Sequence, residues 1–145
     1  MRAVVQRVKE TGLKVDGKLI SQIPFGLIVY FGVKKGDTYE NADYLANKIS
    51  KLRIFEDEQG KMNKSVIDVG GEILSVSQFT LYGDVSHGNR PSFIDAETPD
   101  KAEPIYDYFC EKLSTHGVAV KKGVFGADMK ISQLSDGPVT IIYDI

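Results

Sequence analysis

The chain has 145 residues, 42% of them hydrophobic and 26% charged, with a formal net charge of −2. That is the size and make-up of one ordinary globular domain, which excludes a disordered or fibrous protein and one that grips nucleic acid over its whole surface. A single cysteine, Cys110, excludes an internal disulfide framework and fits a reducing compartment.

The first element, residues 2–8, reads as a strand rich in β-branched residues. Residues 12–22 read as a hairpin, with Asp16-Gly17 as its two-residue turn. Residues 25–33 are continuously apolar, as in a strand buried on both faces. The longest apolar stretch, Ile23 to Val33, is broken by Pro24, Gly26 and Gly32. It falls well short of the roughly 20 residues that span a bilayer. The start, Met1 to Arg7, lacks the long apolar core of a secretory signal.

The period then changes. Ala42, Leu45, Ala46, Ile49 and Leu52 recur at helical spacing, which predicts an amphipathic helix over 38–52 with Asp37 and Glu40 as a capping box. A second helix is expected after Thr98-Pro99-Asp100, with Ala102, Ile105, Phe109 and Leu113 on one face and Gly117 as its stop. Pro104 fits it only near the first turn. Strands are expected at 72–77, 118–122, 129–134 and 139–144. Two helices among strands that do not alternate with them predict an α+β fold, one domain over 1–145, with a curved, barrel-like sheet.

Familiar catalytic kits are missing. The two histidines, His87 and His116, lie far apart, and Cys110 sits beside the apolar face of the second helix. No zinc-ligand spacing and no glycine-rich phosphate loop follow from these residues, and no metal is expected. Four groups of cations stand out: Lys34-Lys35, Lys48 with Lys51 and Arg53, Lys61 with Lys64, and Lys121-Lys122. They read either as solvated lysines or as a local patch that tracks an RNA end.

Two apolar runs are interrupted by polar groups that a core strand does not need. In Ser77-Gln78-Phe79-Thr80 a strand ends in hydroxyls and an amide. Its backbone N–H groups can leave the ladder and stabilise an oxyanion, or its hydroxyls can simply satisfy the local backbone. Thr80 carries a possible nucleophile, but no histidine or lysine nearby in sequence offers itself as a base. Gly137-Pro138 reads equally as a turn before the last strand or as backbone that approaches a ligand. Arg7 is an outward strand cation or a support, and Phe125 and Met129 are core or pocket wall.

The segments Ser75-Val76-Ser77-Gln78-Phe79-Thr80-Leu81 and Ser135-Asp136-Gly137-Pro138-Val139-Thr140 resemble the two signature segments of the D-aminoacyl-tRNA deacylases. The resemblance continues through Gln6-Arg7-Val8, Gly60 to Asn63, Gly88 to Phe93 and Phe125 to Met129, so it spans the chain. It implies a cytoplasmic homodimer, with no metal or organic cofactor, that hydrolyses the ester of a D-amino acid or glycine on the CCA end of tRNA. Its active sites would lie at the subunit interface. The backbone amides of Gln78 and Phe79 would be the oxyanion donors, with Ser77 and Thr80 as site residues and Thr80 in a positioning role. The substrate's own ribose hydroxyl would help to carry the reaction.

Gly137 and Pro138 would enter the partner's site and block an L-side chain, held there by Arg7. Phe125, Ala127 and Met129 would receive the terminal adenosine. One departure stands out. The family pattern has Asn where this chain has Ser135, and Ser replaces only part of an amide's hydrogen bonding. A non-catalytic RNA-end module and a general esterase using Thr80 or a serine are the rival readings.

Overall fold

Two long strands organise the molecule, and the computed structural model describes all of residues 1–145. Strand β1 (Arg2–Val15) pairs antiparallel with β2 (Lys18–Gly32), from Arg2 opposite Gly32 to Val15 opposite Lys18. The Asp16-Gly17 turn is where the sequence predicts it, but the separate elements around it merge into one long hairpin. Helix α1 (Tyr39–Ser50) and a small hairpin, β3 (Phe55–Glu56) with β4 (Met62–Lys64), follow. Next come β5 (Glu72–Ser77), helix α2 (Pro99–Thr115), β6 (Ala119–Lys122) and β7 (Met129–Asp144).

The main sheet has five strands in the order β6-β5-β2-β1-β7. Strand β5 runs parallel to β2 and to β6, while β7 closes the other edge antiparallel to β1. This is the α+β fold with two helices that the sequence predicts. The barrel-like closure expected from sequence is not found: the sheet stays open, because its edges β6 and β7 share no ladder.

Both helices pack on one face of the sheet. Their apolar stripes, with Leu45 and Ile49 on α1 and Phe109 and Leu113 on α2, meet Val5, Leu27, Val29 and Phe31 in the main core. Phe31 stacks on Phe109 with ring centroids 4.1 Å apart. Truncating either ring to Ala removes about 3–5 kcal/mol of stability. The opposite face carries a smaller cluster of Val8, Leu13, Ile23, Ile28, Leu74 and Val76, over which neither helix lies.

Three local expectations are corrected. The N-cap of α1 is Thr38, whose N–H donates to Asn41 Oδ1 at 2.9 Å. Asp37 is drawn away because its carboxylate accepts from the N-terminal ammonium at 2.8 Å and from the Lys34 N–H at 2.6 Å. Helix α2 begins at Pro99, so Pro104 lies past the first turn and leaves the Asp100 carbonyl without an N–H donor from residue 104.

The last strand is one element rather than two. Its register on β1 passes from Gln6 opposite Thr140 directly to Val8 opposite Ser135, so Asp136, Gly137, Pro138 and Val139 bulge out across from Arg7 alone.

Candidate active site

Strand β5 stops at Ser77, and the chain turns sharply into a single 3₁₀ turn, Phe79–Tyr82. Three contacts fix this turn. The Gln78 N–H donates to the Phe31 carbonyl at 2.8 Å, extending the β2–β5 pairing by one bond. Gly32 lets the turn lie against β2: a Cβ there would sit 3.0 Å from Gln78 O and 3.2 Å from the Tyr82 ring. Arg2 donates to the Leu81 carbonyl at 2.6 Å and to Asp144 Oδ2 at 2.6 Å, with its guanidinium 5.0 Å from the Tyr82 ring centre.

The first donor of the turn is the Leu81 N–H, which reaches Gln78 O at 3.4 Å. The N–H groups of Phe79 and Thr80 precede it and have no acceptor inside the turn. One of the two amides expected from sequence as oxyanion donors is therefore already bonded. The Gln78 N–H is committed to the sheet, whereas those of Phe79 and Thr80 stand at the start of the turn.

Ser77, Gln78 and Phe79 open onto a cavity of about 750 Å³ whose wall also includes Phe125, Ala127 and Met129. The fold thus brings together two segments some fifty positions apart, because β6 lies beside β5 and leads into the Phe125–Met129 stretch. Phe79 is exposed at the cavity and packs edge-to-face on Phe93, with centroids 5.1 Å apart and planes at 71°. Deeper in, the Tyr106 hydroxyl donates to the Ser75 carbonyl at 2.9 Å, and burial raises its pKa. Burial also pushes the Cys110 thiol up to about 11, so it is neither accessible nor a thiolate near neutral pH.

Thr80 lies outside the cavity wall. Its hydroxyl accepts from the Gln78 side-chain amide and is hydrogen-bonded to no histidine, lysine or carboxylate. His87 lies in an exposed loop and His116 caps the end of α2. No general base therefore faces this hydroxyl, and a nucleophilic Thr80 lacks the partner it needs.

The Gly137-Pro138 bond is cis, and both residues are exposed. Neither lines the cavity of its own chain. Gly137 has φ of +127°, and a Cβ would meet Val139 Cγ2 at 2.7 Å and Val139 N at 2.8 Å, so no larger residue fits without displacing the loop. Arg7 is 9% exposed. Its Nε donates to the Asp136 carbonyl at 3.2 Å, and its Nη1 donates to the Ile54 carbonyl at 2.7 Å. The same guanidinium pairs with the Asp136 carboxylate at 3.2 Å. Arg7 is therefore a buried tie between the protruding loop and the body of the fold.

Arg2, Gly32 and Phe93 join the site without having been singled out in the sequence. Phe93 falls inside the Gly88–Phe93 segment that carries the resemblance, so a signal for it existed. Arg2 and Gly32 act through contacts across 79 and 46 sequence positions, which no local pattern encodes.

The family model described as D-Tyr-tRNA(Tyr) deacylase matches residues 4–144. Proteins of Bacillus thuringiensis (strain Al Hakam) and Bacillus cereus (strain AH187), both named D-aminoacyl-tRNA deacylase, are 54% identical to this chain, with 99% of each chain covered. Among solved structures, the c-Myc DNA Unwinding Element Binding Protein superposes with a TM-score of 0.93 at 43% identity, covering 100% of this chain and 99% of its own. A probable eukaryotic D-amino acid tRNA deacylase shares the fold, with a TM-score of 0.83 at 22% identity and coverage of 99% and 98%. A family match over nearly every residue and relatives of the same length converge: the chain belongs to the D-Tyr-tRNA(Tyr) deacylase family and is a hydrolase of that kind.

Proposed function

We propose that this enzyme works in the cytoplasm as a homodimer, clearing D-amino acids and glycine from tRNA through an active site that two chains complete together. The observation that carries this reading is a division of labour. Ser77 to Phe79 and Phe125 to Met129 wall one cavity, while Gly137-Pro138 projects from the same chain without reaching it. A loop built so rigidly and left outside its own pocket is suited to a second copy's pocket. The helix-free face of the sheet supplies a place for that copy, with Ile142 at 66% exposed on the edge strand β7.

In this mechanism the terminal adenosine lies against Phe125, Ala127 and Met129, which places the aminoacyl ester at the start of the 3₁₀ turn. Single-stranded RNA ends are held by stacking and backbone contacts, so a protein of slightly negative net charge can bind one. Water attacks the ester carbonyl, the C–O bond to the ribose breaks, and the ribose oxygen takes up a proton. The developing oxyanion accepts from the Phe79 and Thr80 N–H groups, with Ser77 and the Gln78 side chain shaping the floor. The neighbouring ribose hydroxyl serves the proton transfers that no side chain here is placed to perform. An aminoacyl ester is already activated, so orientation and fixed donors suffice.

Selection is by exclusion. The partner's Gly-Pro backbone fills the space an L-side chain would need and leaves room for hydrogen. D-side chains of many shapes are then accepted, and glycine, having none, is accepted too.

Release of labelled amino acid from D-tyrosyl-, L-tyrosyl- and glycyl-tRNA, with the enzyme in catalytic amounts, tests this directly. The D- and glycyl-esters should be lost while the L-ester is spared. Equal loss of D and L removes the gate, and binding without release removes the catalytic reading.

A further inference from the structure

Three side chains from three different strands form one continuous hydrogen-bonded chain on the helix-free face of the sheet. The Tyr30 hydroxyl donates to Gln133 Oε1 at 2.8 Å. Gln133 Nε2 donates to Gln6 Oε1 at 3.0 Å and to Ser135 Oγ at 3.0 Å. Gln6 Nε2 in turn donates to Thr140 Oγ1 at 3.1 Å.

The ends of this chain fall at particular places. Ser135 is the last residue before the bulge of Asp136 to Val139, and Thr140 is the first residue after it. Gln133 and Gln6 therefore hold the two legs of the Gly137-Pro138 loop and are joined to each other. Arg7 grips the same loop through Asp136 while anchored to the Ile54 carbonyl in the main body. The loop is fixed from both faces of the sheet at once.

Every polar group in the chain is used in the direction it can act. Gln133 accepts once and donates twice, and Gln6 accepts once and donates once. Burial raises the pKa of Tyr30, so its hydroxyl keeps its proton as the donor that starts the chain. Ser135 supplies a short acceptor that the Gln133 amide can reach at the first leg. The family's Asn is absent there, and the amide function comes instead from Gln133 two residues earlier on the same strand.

We propose that Gln133, acting with Gln6 and Tyr30, is a positioning group that sets chiral stringency by fixing both legs of the Gly-Pro loop. The proposal rests on the gate reading above. Exclusion of an L-side chain demands a loop that does not yield, whereas turnover of an admitted D-ester depends on the Phe79–Tyr82 turn of the other chain. Loosening the legs therefore raises L-ester hydrolysis more than it changes D-ester hydrolysis.

The test compares initial rates on D-tyrosyl- and L-tyrosyl-tRNA for the unaltered protein, Gln133→Leu and Tyr30→Phe. Gln133→Leu keeps volume but removes every bond of the central amide, so the D-to-L rate ratio should fall about tenfold. Tyr30→Phe removes one hydroxyl and should lower it about two- to threefold; it also decides the matter if Gln133→Leu does not fold. Sedimentation of the same samples should show an unchanged mass. A ratio that stays constant in folded variants overturns the proposal. So does a ratio that falls only together with loss of the dimer, which assigns the chain of amides to assembly instead. If the unaltered protein already hydrolyses both esters equally, the gate reading fails and the proposal falls with it, a result distinct from failure of the amide chain alone.

Discussion

The two characteristic segments are held in contrasting ways. Ser77–Tyr82 is folded into its own chain: Gln78 is tied to β2, Arg2 holds the Leu81 carbonyl, and the first three residues wall a cavity. Asp136–Val139 is tied just as firmly, by Arg7 on one side and the Gln133–Gln6 amides on the other, yet it faces no cavity of its own. On the proposed reading, one segment is a site waiting for a substrate and the other is a rigid probe waiting for a site. A fold without a nucleophile–base pair would then gain its specificity from geometry divided between two copies rather than from side-chain chemistry.

The strongest way to break this comparison is to remove the donor in the turn. Phe79 occupies the first position of the 3₁₀ turn, where proline is tolerated and deletes only an N–H with no acceptor in the turn. Against a Phe79→Ala control that keeps the N–H, Phe79→Pro should lose a further ~100-fold or more in kcat on D-tyrosyl-tRNA. A loss no greater than that of the control would move the oxyanion site elsewhere.

The matching change in the probe is Gly137→Ala. Its Cβ would meet Val139 within 2.8 Å, at a φ that L-residues rarely adopt. The L-ester should lose its protection, and the protein should lose about 1–3 kcal/mol of stability in a denaturant titration. A variant with intact discrimination would show that the loop does not act as the gate.

Arg2→Met sharpens the comparison by loosening the turn without touching the cavity. A charge-assisted tie to the Leu81 carbonyl is lost, and kcat should fall about tenfold with KM changed less than twofold. The other partner of Arg2, Asp144, adds a pH dependence, since its carboxyl is held below its ordinary value of 3.8 chiefly by the hydrogen bond from Arg2. A carboxylate with a lowered folded pKa stabilises the native state above that ordinary value and ceases to do so as pH falls below it. The Asp144 contribution should thus be constant from pH 5 upward, and the gap in thermal unfolding between Arg2→Met and the parent should narrow only in acid, without closing, because the bond to the Leu81 carbonyl does not titrate.

The smallest effect is expected at Cys110, buried among α2 and the main core. Cys110→Ala should cost about 1 kcal/mol of stability and leave deacylation rates unchanged, since Cys110 itself does not line the cavity. Inactivation of the native protein by a thiol reagent would contradict its burial.

Much of the fold is legible from local sequence. Helical spacing locates both helices, Asp16-Gly17 locates the hairpin, and the apolar run before Val33 marks a central strand. What escapes is whatever depends on register between distant strands. The parallel pairing of β5 with β2 and β6 leaves no mark on periodicity, and the bulge opposite Arg7 exists only because β7 carries three extra residues there. The same cause hides the Tyr30–Gln133–Gln6 chain, whose members are separated by 103 and 127 positions. At the site, the characteristic strings point to two segments, Ser77–Phe79 and Phe125–Met129, that the fold brings to one cavity. They could not show that the Gln78 N–H is already taken by Phe31, because that bond belongs to the sheet rather than to the motif.

Subunit mixing tests the central claim most directly. Phe79→Pro and Gly137→Ala chains, each inactive or ungated as a homodimer, are unfolded together, refolded at equal amounts and assayed for D-specific deacylation. If the loop works in the partner's cavity, half of the dimers are mixed and one of their two sites unites an unaltered turn with an unaltered loop, so about a quarter of the parent's D-specific activity returns. If turn and loop belong to the same chain's site, no mixed dimer contains an intact pair, and no D-specific activity beyond that of the separate variants would appear.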